Sequence, residues 1–412
     1  EVVELQEPYH PRRVLLVLGV PAVGLVEEVA LWQGRIAYVG ERAPDAGSAT
    51  EVIDGQGMYL MPGFIDVHGH ADLIVNPLAL AWQILPTGTT GMLSDTHDIC
   101  GTLGFKGLDI MLQVTEHIPF RYYFAVPAAC PPMPEFEGPE VFSYDMVAAG
   151  LAHKRVLSIS EVTSWGRLME PEEEFVARLE LAHELGKRVE GHMSGCSYDK
   201  VNALTACGHT SCHESVTAEE ALQKLRLGVH VIFRHGSVRA DLEPLSHVIK
   251  ENPGLDTSRV MMSPDWFNPK DLLRYGYLNY LVAKAIEFGI PPVKAIQMVT
   301  INPATYLGVE AEIGGIAPGR LADMILVEDL EQPFPHLVMV GGKRVAEQGR
   351  LLVEKTKFPQ VQLKDWRPER IPNLPVKAGD FRIRAETKKP ELPCMEMVNK
   401  TIIKAGVKVL PV

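Results

Sequence analysis

Apolar and polar positions follow three successive patterns along the chain. Residues 1–62 carry short runs of β-branched and aromatic side chains broken by glycine, as in RVLLVLG, EEVALWQGRIAYVG and ATEVIDGQGMYLMPG. Such runs predict strands and turns, with a hairpin around Gln33-Gly34. From residue 64 short apolar runs alternate with longer stretches of helical period. The runs at 64–70, 89–94, 121–127, 156–161, 188–192, 209–213, 229–235 and 259–264 read as strands. Between them, PEEEFVARLELAHELGK opens on proline and glutamates and closes on Gly-Lys, which are helix start and stop signals. TAEEALQKLRLG places Thr217 three residues before Glu220, a capping-box spacing, and ends on glycine. Eight strands, each about one βα unit from the next, predict a (β/α)8 TIM-like barrel over residues 63–305.

The third pattern returns to short strands and glycine turns, in GGIAPGRLADMILVEDL and PHLVMVGGKRVAEQG. We expect a small β-sandwich domain built from both chain ends, residues 1–62 and 306–350, with the barrel inserted between them. Residues 351–412 are rich in Pro and Lys with little periodicity, and read as an extended arm or the start of a further domain. The chain opens on Glu1 rather than Met, which suggests that its natural start lies upstream.

Barrel enzymes place their chemistry at the C-terminal ends of the strands, and here those ends are polar. The first strand ends in His68 and His70, and side chains two apart on a strand share a face. The second runs into Asp95 and His97. Later strands end in Glu161, His192, His213 and Asp265. Imidazoles and carboxylates are suitable ligands for Zn, Mn or Fe(II). His68, His70, Glu161, His192, His213 and Asp265 suffice for two divalent metal ions, with Glu161 able to bridge them. A lone His-x-His pair would carry little weight, but the joint placement at strand ends predicts a metal-dependent hydrolase. His117, His153, His183 and His247 fall in or beside predicted helices and read as structural or solvent-facing.

Composition narrows the partners. The net charge of -12 argues against nucleic acid and against anionic membrane surfaces. No apolar run is long enough to span a bilayer, and no secretory signal opens the chain. The six cysteines are irregularly spaced, with no CxxC, so neither a disulfide framework nor a thiol nucleophile is expected. The expectation is a cytoplasmic homo-oligomer acting on a small molecule.

The motif MPGFIDVHGH resembles the opening signature of the amidohydrolase superfamily, and GGIAPGRLADMILVEDL resembles its closing β-domain signature. PTGTTGMLSDTHDI, SISEVTS, VEGHMSG, CHESVTAEEALQKLRLGVHVIFRHGS and AIQMVTINPATYLG narrow the resemblance to the bacterial adenine deaminase branch, over about residues 50–350. In that branch a metal-bound hydroxide attacks the carbon bearing an amino group, and ammonia leaves. The resemblance implies that His68 and His70 hold the more buried ion and that Glu161 bridges. It places His192 and His213 on the second ion, and makes Asp265 a ligand that shuttles the proton. Asp72 and His97 become candidates for an additional metal or for substrate.

The departures fall mainly where substrate would sit. The family's His-x-His-Ile-Glu-Ser continues here as His70-Ala71-Asp72-Leu73, and its Asp-Asp-Arg becomes Asp265-Trp266-Phe267. Arg-Glu-Gly-Ser becomes Arg234-His235-Gly236-Ser237, and the family usually has a longer C-terminal domain. Arg234, Trp266 and Phe267 are therefore the expected substrate-pocket residues. Losing polar partners for a purine edge argues for an altered substrate. Adenine-like deamination is the first expectation. Ring-opening of a cyclic amide, lactam or hydantoin-like, is the alternative, and a non-catalytic barrel stands third.

Overall fold

A computed structural model of the chain describes residues 13–17, 28–43, 49, 51–55, 57–131, 142–170, 172–355, 377–382, 391–397 and 403–409. Its centre is a curled sheet of parallel strands. Phe64–Gly69, Thr89–Ser94, Arg121–Val126, Val156–Val162 and Arg188–Gly191 pair in that order. Ser211–Cys212, His230–Arg234 and Val260–Ser263 continue it. The two arcs meet where Thr210 N–H donates to the Val189 carbonyl at 2.9 Å. They meet again at a parallel bridge between Gly69 and Asp265, which joins the last strand back to the first. All eight expected strands are present. The sixth is reduced to two residues, in keeping with its polar sequence HTSCH.

Burial explains why these runs became central strands. All six residues of Phe64–Gly69 and all six of Thr89–Ser94 are buried, as expected of strands covered on both faces. Between strands, helices such as Glu173–Glu184 and Ala218–Arg226 cover the sheet. Thr217 caps the second of these by accepting from Glu220 N–H. The Glu220 carboxylate reaches back one residue further than a capping box requires, to Val216 N–H at 2.8 Å. At the end where the strands begin, Ile65, Val67, Leu93, Ala125, Ile232 and Met261 cluster with Tyr306, Leu307 and Ile313. The Tyr306 hydroxyl bonds Thr210 at 2.9 Å there. That apolar plug leaves the opposite end for polar groups.

Both chain ends contribute to two further sheets. One holds Arg35–Gly40, Glu28–Trp32, Arg13–Val17 and Glu51–Asp54. The other holds Arg350–Leu351, Lys343–Glu347, Pro335–Val340, Met324–Val327 and Tyr59–Pro62. The expected hairpin turns through Gln33 and Gly34 at φ of 49° and 79°, the left-handed geometry that favours a two-residue turn with glycine. Val29, Leu31 and Ile36 of the first sheet cluster with Met324, Leu326, Leu337 and Met339 of the second. In the tail, Glu391–Met397 pairs antiparallel with Ile403–Val409, where the sequence pattern predicts no regular element. No helix among the described residues is long and apolar enough to cross a membrane.

Candidate metal centre and active site

The polar strand ends converge on one point. His68, His70 and Asp265 offer ligand atoms within 4.8 Å of one another, and so do His68, Glu161 and His213. His70 Nε2 lies 3.1 Å from Asp265 Oδ1 and 3.7 Å from Glu161 Oε1. Glu161 Oε2 lies 2.5 Å from His192 Nδ1 and 3.2 Å from His213 Nε2. The rings of His68 and His213 stack with centroids 4.1 Å apart. Glu161 therefore stands between the pair from the first strand and the pair from the fifth and sixth. Gly191 permits the last of these approaches, since a Cβ there would meet the Ser211 carbonyl oxygen at 2.3 Å.

His97 and Asp72 lie beside this group. His97 Nδ1 is 2.9 Å from Asp95 Oδ1, and with His70 these residues form another possible ligand group. Asp72 accepts from Ile99 N–H at 2.9 Å, at the start of the helix His97–Leu103, and also neighbours His70 and Asp98. Asp265 has φ of 66°, uncommon for a residue with a side chain. Its amide donates to Ser263 Oγ at 2.9 Å, and Ser263 Oγ donates to the His68 carbonyl. Asn268, not Asp265, caps the next helix, accepting from Asp271 N–H at 2.9 Å. The control histidines fall outside the centre, His117 being 85% exposed and His247 46% exposed at their side chains.

Several residues at this centre were not singled out from the sequence. Glu190 Oε2 accepts from His68 Nδ1 at 2.8 Å, with both side chains buried. A signal for it was present, since Glu190 lies two residues before His192, the spacing that puts two side chains on one face of a strand. Asp66 stands in the same relation to His68. It accepts from the Tyr277 hydroxyl at 2.6 Å, a partner that no local pattern reveals. Asp95, which the sequence already marks at the end of the second strand, accepts through Oδ2 from Glu161 N–H at 2.9 Å. Glu214 is held by Arg234 at 2.6 Å and Arg239 at 2.7 Å.

Electrostatics identify what the cluster lacks. Burial alone would lower the His70 pKa, but hydrogen bonding to Asp265 and the charge of Glu161 push it up to about 9. Burial likewise opposes protonation of His68, and Glu190, Asp265 and Glu161 reverse it, holding the ring well above the usual value. Burial pushes Glu190 up to about 7 against the pull of His68. His213 moves the other way, down to about 4, because burial and the neighbouring His68 disfavour its charged form. So many buried carboxylates call for positive charge, and a metal ion can supply what protons otherwise would. The donor atoms fit that role. His68 Nε2, His70 Nδ1 and His213 Nε2 are buried without a hydrogen-bond partner. Unsatisfied buried nitrogens are costly unless something binds them, and the mixed N and O donor set suits a divalent transition metal.

Two narrow clefts flank the centre. One brings Ile74, Leu80, Trp266, Phe267 and Leu272 up to His70 and Asp265. The other reaches His97 and Glu161 past Thr163, Ser164 and Phe175. Phe267 packs edge-on against Tyr277 with centroids 5.9 Å apart. Arg234, expected in the substrate pocket, is 5% exposed and donates from Nη1 to Asp265 Oδ2 at 2.8 Å.

Known proteins resemble this chain in sequence and in fold. A profile of the amidohydrolase family matches residues 59–345. An adenine deaminase of Moorella thermoacetica is 35% identical over 385 residues, covering 91% of this chain and 63% of the relative. One of Cenarchaeum symbiosum is 33% identical over 381 residues, covering 92% and 62%. The chain thus spans about three-fifths of the length of these curated relatives. Among solved structures, a beta-aspartyl dipeptidase of Fervidobacterium islandicum superposes with a TM-score of 0.63 at 17% identity, over 84% of this chain and 99% of the other. N-isopropylammelide isopropylaminohydrolase of Burkholderia multivorans gives a TM-score of 0.59 at 17% identity, over 83% and 100%. At that identity the solved structures speak for the fold alone.

Proposed function

This chain belongs to the amidohydrolase family, and from that premise we propose that it is a metal-dependent hydrolase that deaminates an amino-substituted nitrogen heterocycle. The observation that carries the reading is the pair of buried ligand groups, His68–His70–Asp265 and His68–Glu161–His213, with imidazole nitrogens left unpartnered. We assign two divalent ions to them. His68, His70 and Asp265 would hold one, His192 and His213 the other, and Glu161 would lie between. Such ions, when bound, lower the pKa of water and polarise the group under attack.

The side chains supply the remainder. Asp265 is the proton carrier, taking a proton from the attacking water and returning it to the departing nitrogen, a task that requires a carboxylate within hydrogen-bond reach. Glu190 and Asp95 orient His68 and His97 through their ring nitrogens. Trp266, Phe267, Ile74 and Leu80 provide an apolar wall that excludes water and orients a ring. We read the two outer sheets as a β-sandwich domain from residues 1–62 and 306–350. We assign the barrel to 63–305, and read 351–412 as an extension that helps form a homo-oligomer.

Adenine is the first substrate to test, because the curated relatives carry that name. Purified protein loaded separately with Zn, Mn or Fe(II) should release one ammonia per adenine or related aminated ring consumed. Absence of ammonia from every aminated heterocycle tried would reject deamination. The apolar wall beside Asp265 favours a second reading, ring-opening of a cyclic amide, since Trp266 and Phe267 supply neither the carboxylate acceptor nor the guanidinium fork with which Asp and Arg would bond the polar edge of a purine. Product formation from a lactam or hydantoin without ammonia would establish it.

A further inference from the structure

We propose that Arg234 is a positioning residue that aims the Asp265 carboxylate, not a residue that holds substrate. The inference rests on the reading of Asp265 as the proton carrier. Arg234 has both terminal nitrogens committed. Nη1 donates to Asp265 Oδ2 at 2.8 Å, and Nη2 forms an ion pair with Glu214 Oε1 at 2.6 Å. Glu214 Oε2 in turn accepts from Arg239 Nη1 at 2.7 Å, and Arg239 Nε donates to Asp241 Oδ2 at 2.9 Å. Asp265, Arg234, Glu214, Arg239 and Asp241 thus form a ladder of alternating charge. Its side chains are at most 14% exposed. Alternation is what allows so many charges to stay buried, and loss of one rung leaves its neighbour uncompensated.

The ladder acts on Asp265 through one oxygen. With Oδ2 taken by Arg234, Oδ1 is the oxygen that faces His70 Nε2 at 3.1 Å and His68 Nε2 at 3.4 Å. A carboxylate free to rotate would present either oxygen to the centre, and Arg234 removes that choice. The backbone restraint has the same sense, because the left-handed φ of Asp265, its bond to Ser263 and its bridge to Gly69 fix the base of the side chain. In the proposed reaction Oδ1 accepts a proton from water as the new C–O bond forms. It gives that proton to nitrogen as the C–N bond breaks, so the carboxylate finishes as it began.

The test uses the full chain, as wild type, Arg234→Lys, which keeps the charge but loses the planar fork, and Asp241→Asn, which loosens the far end of the ladder. A misaimed carboxylate should lower kcat by about 10²-fold in Arg234→Lys, with KM within roughly twofold. Asp241→Asn should give a smaller fall in kcat of the same kind. Visible absorption of the cobalt-loaded proteins provides a readout without turnover, and the Arg234→Lys bands should shift from wild type at equal metal content. A tenfold rise in KM at unchanged kcat would overturn the proposal in favour of substrate binding. So would wild-type kcat and unshifted cobalt bands in folded Arg234→Lys. Failure of the wild type to turn over any substrate would instead count against the deaminase reading, while the cobalt comparison would still decide the role of Arg234.

Discussion

His68 donates from Nδ1 to Glu190 Oε2 at 2.8 Å, and each side chain is only 1% exposed. The bond fixes which nitrogen of His68 faces the centre, so Nε2 is the one presented beside Asp265. A carboxylate behind a ligating imidazole both orients the ring and raises its basicity.

Removing that support should weaken metal binding without removing a ligand. Glu190→Gln should lose metal affinity by about 10- to 100-fold, read by competition with a chromophoric chelator. Affinity equal to wild type would show that Glu190 does not tune the centre.

Glu161 contacts His70, His192 and His213 at once, so Glu161→Ala should reduce both metal stoichiometry and turnover. Asp265→Ala should cost at least about 10²-fold in kcat, the usual contribution of a positioned proton carrier. Ammonia release measured at known metal content separates the two effects. Near-normal turnover in Asp265→Ala with metal bound would refute its assignment as proton carrier.

Trp266→Asp should change which substrate is preferred more than it changes the chemistry. The wall beside Asp265 is apolar, and a carboxylate there restores a hydrogen-bonding partner. We expect the ratio of kcat/KM between a polar purine and an apolar-substituted ring to move by about tenfold or more. An unchanged ratio would place Trp266 outside the substrate site.

Acid should destabilise the metal-free protein through buried and half-buried histidines that the fold keeps neutral. Burial first, then their neighbours, lowers His209, His230 and His235 to about 4 from 6.5. Between those values the unfolded chain binds more protons than the folded one. Their contribution is therefore full above the unfolded value and is lost as the pH falls through the window toward 4. Thermal denaturation of metal-free protein at a series of pH values should show this slope, and His209→Gln should flatten part of it. An identical slope in the variant would remove His209 from the account.

Most of the strands were legible because they are short runs that can be buried on both faces, as in FIDVHG and TTGMLS, whereas the sixth, HTSCH, is polar. The candidate ligands were legible because imidazoles at the ends of such runs have few structural reasons to be there. Glu190, Glu214 and Arg239 were harder. A carboxylate or guanidinium is ordinary in a sequence, and its meaning depends on partners far away, such as Glu190 with His68, 122 residues apart. The tail strands were missed because Pro and Lys obscure the alternation, and their pairing is supplied by the partner strand.

The bridge between Gly69 and Asp265 also orders events in time. Ser263 bonds the carbonyl of His68 across 195 residues of sequence. A ribosome delivers the paired imidazoles early and the closing carboxylate only after most of the barrel has been made. A nascent chain therefore holds half a chelating site for much of its synthesis. On the proposed assignment of the metal ligands, high-affinity capture of an ion would wait for the seam to close, so metallation would report that the barrel has been completed.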